Sequence, residues 1–265
     1  MIRKPAVAGT FYPDGKQALT EELERCTDSD AEKKPCIGAV APHAGYVFSG
    51  SVAGELFSQI TITPVVIILA PNHRGPLVPF ALTPADAWHT PLGDVEIDKD
   101  LDGAIAERCP LVEHAAAPHA HEHSAEVMLP FLQYFRPGVK VVPIVIGEHN
   151  YQPLAELGSA IAECIGGQDV LIIASSDMTH FEHADTAKEL DDMALEQVLK
   201  LDALALHRTV VANRISMCGF APTIAMLTAA VALGARAAEL VRYGNSGDVT
   251  GDPSSVVGYA SVRVF

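Results

Sequence analysis

Short apolar runs that alternate with helix-like stretches are the feature that most constrains the fold of this chain. Runs rich in Val and Ile predict buried β-strands, at residues 36–41, 65–70, 139–146 and 169–175 and in a C-terminal pair around 239–243 and 256–265. Amphipathic helices are predicted between them at about 15–26, 50–60, 124–135, 152–165, 184–200 and 221–233. This alternation predicts the α/β class, with a central, mostly parallel sheet flanked by helices. Residues 80–98 resemble an antiparallel excursion, which favours a mixed sheet.

The pattern continues from end to end without a long linker or a low-complexity segment, which favours a single domain spanning residues 1–265. No stretch reaches the roughly 18 to 20 uninterrupted apolar residues of a membrane helix. The first residues also lack an apolar run of signal-peptide length. The protein is therefore expected to be cytoplasmic and not to enter a membrane.

Charge and cysteine content narrow the classes of partner and of structural site. A formal net charge of -15 repels phosphate backbones and anionic lipids, and no basic patch compensates for it, so nucleic-acid binding is not expected. The cysteines are odd in number, scattered and without a CxxC pair, which argues against a disulfide framework or a zinc finger. They are Cys26, Cys36, Cys109, Cys164 and Cys218.

Polar residues follow several of the predicted strands at the point where each strand ends. His43 and His73 come after two of the apolar runs, and a third run is followed by Asp177 and His180. A fourth run ends near His149. Ligands bind outside the carboxyl ends of the strands in open α/β sheets, so residues far apart in sequence are expected to share one site there.

Cys218 differs from the other cysteines because it lies just before an apolar helix that is predicted to begin near Pro222. The positive end of a helix dipole lowers the pKa of a nearby thiol, so Cys218 is expected to form a thiolate readily. Two imidazoles and one thiolate would make a three-ligand site with open positions, as in catalytic metal centres. This donor set suits Fe(II), Zn(II) or copper, and it disfavours Mg or Ca.

Seven ordered segments of the chain resemble the Memo family, whose prokaryotic members are called AmmeMemoRadiSam system protein B. They are "AVAGTFYP" (6–13), "APHAGYVFSG" (41–50), "APNHRG" (70–75), "EHSAEVMLPFL" (122–132), "SSDMTHF" (175–181), "CGFAPT" (218–223) and "NSGDVTGDPSSVVGYA" (245–260). That family is similar in fold to the catalytic subunit of class III extradiol, non-haem iron dioxygenases. The resemblance therefore implies the same α/β architecture for this chain.

The resemblance also implies roles for individual residues. His43, His73 and Cys218 correspond to metal ligands, with Fe(II) the ion most expected and Cu or Zn as alternatives. His180, with Asp177 beside it, corresponds to the acid/base position. The dioxygenases join two histidines with a carboxylate, so a thiolate at Cys218 changes the redox behaviour of the metal and puts ring cleavage in doubt.

The histidine-rich tract "PHAHEHSAE" (118–126) suggests a metal site of its own, because alternate residues of an extended segment point the same way. The helix predicted at 124–135 would instead begin near Ser124 and hold His123 at its entry, facing the crevice. His119 and His121 are expected to lie in a solvated loop. His123 is therefore expected to line the pocket or take part in catalysis and not to bind the metal.

Three functions are compatible with these residues. The first is a metal-dependent oxidoreductase acting on an unknown small substrate, with His180 moving a proton and Tyr46 and Glu122 contacting the substrate. The second is a non-catalytic adaptor that captures metal or peptide, with possible protein partners of the same system. The third is a zinc-dependent hydrolase in which Asp177 or His180 is the base.

Overall fold

A computed structural model describes residues 1–74 and 78–265 of the chain. Gly75, the last residue of the segment 70–75, lies outside the described residues. The β-strands are β1 (Ile2–Arg3), β2 (Gly38–Ala41), β3 (Val65–Pro71), β4 (Phe80–Leu82), β5 (Ala87–Thr90), β6 (Gly93–Glu96), β7 (Val112–His114), β8 (Lys140–Ile146), β9 (Val170–Ser175), β10 (His180–Glu182), β11 (Ala238–Asn245) and β12 (Val256–Val264).

The helices of the described residues comprise ten α-helices and a 3-10 turn at Glu126–Met128. The α-helices are α1 (Lys16–Cys26), α2 (Tyr46–Gln59), α3 (Lys99–Arg108), α4 (Ala117–Ala120), α5 (Leu129–Phe135), α6 (Tyr151–Ile165), α7 (Ala184–Leu199), α8 (Ala203–Asn213), α9 (Phe220–Ala232) and α10 (Gly247–Thr250).

The main sheet has the strand order β10-β12-β2-β9-β3-β8-β4-β7, and β11 pairs with β12 off this path. The four central strands β2, β9, β3 and β8 run parallel. Both flanks carry antiparallel pairs, β12 with β2 on one side and β4 with β8 on the other. The predicted excursion at 80–98 supplies β4 and then the β5–β6 hairpin of a small second sheet, so the prediction of a mixed sheet is confirmed.

Helices cover both faces of the main sheet, as predicted. In β3, Ile67 and Leu69 face one hydrophobic cluster, whereas Val66 and Ile68 face the other. The first cluster contains residues of α3, α6, α7, α8 and α9, and the second contains residues of α1, α2 and α5. Because both faces are buried, these strands are continuously apolar, which is why their positions were predictable.

Two substantial helices, α3 and α8, were not predicted from the sequence. The glycine Gly103 interrupts the helical pattern of α3, and the β-branched residues Thr209, Val210 and Val211 weaken that of α8. In α2, the helix begins at Tyr46, before the predicted start at 50, and the Tyr46 N–H, which has no partner within the helix, donates to the Phe11 carbonyl at 2.7 Å.

A fully buried carboxylate fastens the N-terminal segment to the second cluster. Glu126 is 0% exposed and accepts hydrogen bonds from Arg3 Nη1 at 2.7 Å and from the Tyr12 hydroxyl at 2.8 Å. It also accepts from the backbone N–H groups of Ala6 and Val7, at 2.8 and 3.0 Å. Since a buried charge must be compensated, these contacts hold residues 3–12 against the segment around Glu126.

Replacement of Glu126 by Gln is expected to lower the free energy of unfolding by about 3 to 5 kcal/mol, because it leaves the Arg3 guanidinium buried without its counter-charge. Urea unfolding followed by circular dichroism measures this free energy. The control is Glu196→Gln, which removes the exposed pair with Lys200 on α7. That change is expected to cost less than about 0.5 kcal/mol. Equal costs for the two variants would show that the Glu126 cluster does not anchor the N-terminal segment.

Candidate functional site

The site lies at the carboxyl edge of the central parallel strands. The strand registers pair Ala41 of β2 with Ser175 of β9, and Leu69 of β3 with Ala174 of β9, so the three strands end close together. His43, His73 and Asp177 follow these three ends. Sequence reasoning expected these side chains to meet at this edge, and the structure brings them together.

Cys218 reaches the same edge from the segment before α9. The backbone N–H of Asp177 donates to Cys218 Sγ at 3.3 Å, and the N–H of Gly219 donates to the Ser176 hydroxyl at 3.0 Å. These bonds join the loop after β9 to the segment that carries the thiol. The helix begins at Phe220, two residues before the predicted start, with Gly219 as its N-cap residue.

Two histidines and this cysteine form a compact cluster of potential metal ligands. One ligand atom each of His43, His73 and Cys218 lies within 4.8 Å of the other two. Cys218 Sγ is 3.3 Å from His43 Nε2, and the two imidazole rings are 5.2 Å apart between centroids. An ion at about 2.3 Å from sulfur and about 2.1 Å from nitrogen would keep those two atoms roughly 3.1 to 3.6 Å apart. The spacing and the donor types therefore fit a transition-metal ion.

Hydrogen bonds on the outer nitrogens orient the two imidazoles. His43 Nδ1 is 2.7 Å from the Ser175 hydroxyl, and His73 Nδ1 is 3.0 Å from Glu122 Oε1. An ionised carboxylate only accepts, so His73 donates from Nδ1 and keeps a lone pair on Nε2. Such outer partners are typical of histidines that bind metals, because they fix the ring and its tautomer.

A second group, composed of His73, Glu122 and His123, also has ligand atoms within 4.8 Å of one another. Glu122, however, is 0% exposed and already accepts from five donors. These are the backbone N–H and Nδ1 of His73, the N–H of His123, and the N–H and hydroxyl of Ser124. Four of these donors reach Oε1 and the backbone N–H of His73 reaches Oε2, so the carboxylate orients the histidines and is a poor candidate for a metal ligand.

The pKa of Glu122 reflects these contacts. Burial alone would raise the pKa of this carboxyl group, but the hydrogen bonds and the charge interaction with His73, aided by Ser124, outweigh burial and lower it. Glu122 was expected to contact substrate. The structure instead gives it contacts inside the protein, where it remains ionised and holds His73.

His123 lies in the crevice beside the cluster. Its ring centroid is 4.9 Å from that of His73, 5.4 Å from that of His43 and 4.7 Å from that of Phe11. Its Nδ1 is buried, has no hydrogen-bond partner among residues 1–74 and 78–265, and lies 3.4 Å from Glu122 Oε1. Burial, opposed by Glu122, lowers the pKa of His123 to about 4, so the ring is neutral near pH 7.

Burial also dominates the electrostatics of His43, Asp177 and Cys218. It lowers the pKa of His43 well below its ordinary value, and it raises the pKa of Asp177 to about 6. Burial, with a further contribution from Asp177, raises the pKa of the Cys218 thiol well above its ordinary value. The expected lowering of this pKa near the start of α9 is therefore not found, because desolvation of the thiolate is the largest contribution.

His180 lies at the rim of the same crevice, at the start of β10. Its Nδ1 is 3.0 Å from the Ser216 carbonyl oxygen, which can only accept, so Nδ1 carries the proton and Nε2 keeps a lone pair. Phe181 follows with a φ of 62° and is 78% exposed. The tautomer of His180 suits it to accept a proton from a group bound in the crevice.

Tyr46 was expected to contact substrate, and the structure buries all but 5% of this residue in the core. The hydroxyl donates to the Val127 carbonyl at 2.7 Å, and the ring lies 4.8 Å from Phe131 between centroids. Its phenol group therefore stabilises the packing of α2 against the segment that follows His123.

The tract 118–126 is not an extended strand. His119 lies in α4 and is only 1% exposed, with Nε2 3.0 Å from the Ala81 carbonyl, so the expectation of a solvated His119 is wrong. His121 is exposed, as expected. The helix expected at Ser124 is a 3-10 turn at Glu126–Met128 followed by α5. Ser124 donates its hydroxyl to Glu122 and does not cap a helix.

Sequence reasoning missed two residues that shape the site, Ser175 and Phe11. Both lie inside segments that carried the family resemblance, 175–181 and 6–13. Ser175 is the last residue of β9, so its place at the end of a predicted strand could have indicated that it belongs to the site. Nothing in the local pattern around Phe11 indicates that its ring contacts His123.

The fold and the site define an α/β protein with a cluster of two histidines and one cysteine at the carboxyl edge of its parallel strands. In the part of the chain that the structure describes, no helix combines the length and apolar character needed to cross a membrane.

The chain belongs to the Memo-like protein family, whose sequence model matches residues 3–263. A MEMO1 family protein of Methanosarcina mazei is 40% identical, and the match covers 99% of each chain. A MEMO1 family protein of Pyrobaculum aerophilum is 38% identical and covers 100% of this chain and 99% of its own. The identification suggested by the seven segments is thus confirmed.

A solved structure supports the architecture. The crystal structure of an uncharacterized protein from Escherichia coli K12 superposes with a TM-score of 0.58 and covers 85% of this chain and 98% of its own. The two sequences are 12% identical, so this likeness concerns the fold alone.

The buried His119 predicts a pH dependence of stability. Burial lowers its pKa from 6.5 to about 4, so between these values the unfolded chain binds a proton that the folded protein does not. The free energy of unfolding therefore falls as the pH is lowered through this interval, by roughly 2 to 3 kcal/mol from this residue. Urea unfolding at pH 7 and about pH 4.5 is expected to show a loss that is roughly 2 to 3 kcal/mol smaller in His119→Gln than in the wild type and in His121→Gln, because buried His43 and His123 contribute to the loss in all three proteins. An equal loss in both variants would contradict the assignment.

Gly219 permits the close contact between the Cys218 segment and the end of β9. A Cβ atom at this position would overlap the Ser175 carbonyl oxygen and the Ser176 side chain. Gly219→Ala is therefore expected to lower the free energy of unfolding by about 1 to 3 kcal/mol in urea unfolding.

The matched control for this change is Gly103→Ala in α3, where an added Cβ meets no atom of the described residues within 4 Å. It is expected to raise the free energy of unfolding by about 0.5 to 1 kcal/mol, because alanine restricts the unfolded chain and favours the helix. Similar effects of the two variants would mean that the tight approach at Gly219 is not important.

Proposed function

We propose that this protein binds one transition-metal ion through His43, His73 and Cys218 and uses it as a metal-dependent oxidoreductase on a small substrate. The observation that carries the proposal is the convergence of two imidazole nitrogens and a thiol sulfur within 4.8 Å at the carboxyl edge of the sheet. Nitrogen and sulfur donors suit Fe(II), which we favour, and also copper or zinc. Three protein ligands would leave positions open for reactants.

When bound, a redox-active ion such as Fe(II) supplies electrons to the reaction and attracts oxygen donors. The chain's own residues supply the proton chemistry. His180 holds its proton on Nδ1 through the Ser216 carbonyl and offers Nε2 as a base at the rim of the crevice. Neutral His123, between Phe11 and His73, offers a ring that can stack on or bond to a substrate.

A cleft beside Phe11 offers space for a small molecule. This cleft of about 650 Å³ is lined by residues that include Phe11, Tyr46 and Val47. Phe11 also contacts the His123 ring, at 4.7 Å between centroids. The cleft and the metal crevice therefore share the Phe11 side chain, and the volume of the cleft is in the range of pockets that take small ligands.

A zinc-dependent hydrolase is the second candidate, and one observation favours it. The pKa of Asp177 is raised by burial to about 6, and its Oδ1 accepts from the His43 backbone N–H at 2.7 Å. A carboxylate with this pKa beside a metal can act as the base that activates a bound water. Asp177 would lie at the same place in the oxidoreductase and in the hydrolase, so the identity of the bound metal distinguishes the two functions.

Metal content is the first test of the proposal. After anaerobic loading with Fe(II) and removal of unbound ion, elemental analysis is expected to find about one iron per chain, and nearly none in His43→Ala or Cys218→Ala. Cys164→Ser, in α6, is the control that keeps the wild-type content. Iron content that is unaffected by the first two variants would exclude this site.

Turnover is the second part of the same test. The iron-loaded protein is expected to consume oxygen in the presence of an electron-rich catechol or thiol substrate, and His180→Gln is expected to slow this consumption by roughly 100-fold or more. Iron binding without oxygen consumption would support the non-catalytic adaptor. Stoichiometric zinc after purification, together with ester or amide cleavage, would support the hydrolase.

A further inference from the structure

Two sets of hydrogen bonds, joined through the covalent structure of Ser124, run behind the metal-ligand cluster and connect its two histidines. From His43 Nδ1 the first set passes to the Ser175 hydroxyl at 2.7 Å and from there to the Ser124 carbonyl at 2.7 Å. The hydroxyl and backbone N–H of Ser124 donate to Glu122 Oε1, at 2.8 and 2.9 Å. The same oxygen is 3.0 Å from His73 Nδ1. Ser124, Ser175 and Glu122 are each 0% exposed, so water does not compete for these bonds.

The direction of each proton follows from counting donors and acceptors. Ser175 has one hydroxyl proton, and it donates this proton to the Ser124 carbonyl, which can only accept. The lone pairs of the Ser175 hydroxyl are then the only means of bonding His43, so His43 must donate from Nδ1. At the other end, His73 donates to the carboxylate of Glu122. In the neutral form of each imidazole, the lone pair therefore lies on Nε2.

This arrangement places the His43 lone pair on the side of the thiol, because His43 Nε2 is 3.3 Å from Cys218 Sγ. The alternative tautomer, with the proton on Nε2, would direct an N–H at the position where the ligand atoms converge. It would also leave a lone pair on Nδ1 facing the Ser175 oxygen, whose proton is already used. The buried network thus disfavours the tautomer that is unable to bind an ion through Nε2.

We propose that Ser175 and Glu122 are positioning residues, joined through Ser124, that hold His43 and His73 in the Nδ1–H tautomer so that both Nε2 lone pairs are available to one cation. This inference rests on the proposed metal site for its purpose. The two hydrogen-bond partners differ in charge. His43 is bonded to the neutral hydroxyl of Ser175, and His73 is bonded to the carboxylate of Glu122. A carboxylate partner makes an imidazole the stronger donor, so His73 binds the ion more strongly than His43.

The tautomer of His43 tests the proposal in the protein without metal. Long-range ¹H–¹⁵N spectra of uniformly ¹⁵N-labelled protein distinguish protonated from unprotonated ring nitrogens, and the His43 signals are those that disappear in His43→Ala. The wild type is expected to show protonated Nδ1 and unprotonated Nε2. In Ser175→Ala, His43 is expected to shift towards the Nε2–H form, which histidine prefers in water.

Metal affinity provides the second measurement. Competition with a chelator under reducing, anaerobic conditions is expected to show that Ser175→Ala weakens Zn²⁺ binding by about 10- to 100-fold, the usual effect of removing an outer partner of a metal-bound histidine. Glu122→Gln is expected to weaken it more, since the amide loses the charge and places an N–H₂ group against existing donors.

Two further variants separate positioning from packing. Ser261→Ala removes another fully buried strand hydroxyl, one without a hydrogen-bond partner in the described part of the chain, and is expected to change neither measurement. Ser175→Thr keeps the hydroxyl and is expected to retain the wild-type His43 tautomer. A folded Ser175→Thr protein with the tautomer of Ser175→Ala would overturn the proposal, because packing would then be the cause.

The outcomes distinguish this inference from the proposed function. Unchanged His43 signals and unchanged Zn²⁺ affinity in folded Ser175→Ala overturn the positioning role, even if the wild type binds metal. A tautomer that depends on Ser175 in a protein that binds neither iron nor zinc supports the positioning role and overturns the proposed function.

Discussion

The burial of one ionised carboxylate organises the functional edge of this protein. Glu122 has no access to water, so its charge is stable only because donors from the surrounding chain surround it. Those donors belong to His73, His123 and Ser124, and satisfying the charge therefore fixes the loop after β3 and the segment after α4 together. Glu126, four residues later, does the same for the N-terminal segment that carries Phe11. The two buried carboxylates, Glu122 and Glu126, thus set the shape of the site. Of the residues that donate hydrogen bonds to them, only His73 is also a proposed metal ligand.

Most of the architecture could be predicted from the sequence because the central strands are buried on both faces. Continuous Val and Ile runs leave little ambiguity about β3, β8 and β9, and the antiparallel excursion was visible as a break in the alternation. The helices α3 and α8 were missed for a physical reason. Each buries only a few side chains, and tertiary packing stabilises a sequence whose own helical preference is weak.

The residues at the strand ends were predictable because parallel strands fix where the chain emerges, whatever the loops do. The contacts behind those residues could not be predicted, since they depend on the directions of side chains inside the loops. The alternating histidines in 118–126 would point the same way only in an extended segment. In the structure, short helical turns rotate successive side chains by about 100°. His119 consequently points into the core and His123 into the crevice. The inward direction of Glu122 and the contact between Phe11 and His123 depend on the same turns and on the N-terminal segment.

The thiol and the imidazole that meet in this crevice are separated by 175 positions in the sequence. During synthesis the chain contains both histidines long before it contains Cys218, and the pairing of β12 with β2 comes later still. The complete set of donors therefore exists only once the chain has been synthesised as far as Cys218, and a shorter growing chain lacks the sulfur that would retain a cation here. Any ion that occupies the cluster through all three donors must be acquired after that point.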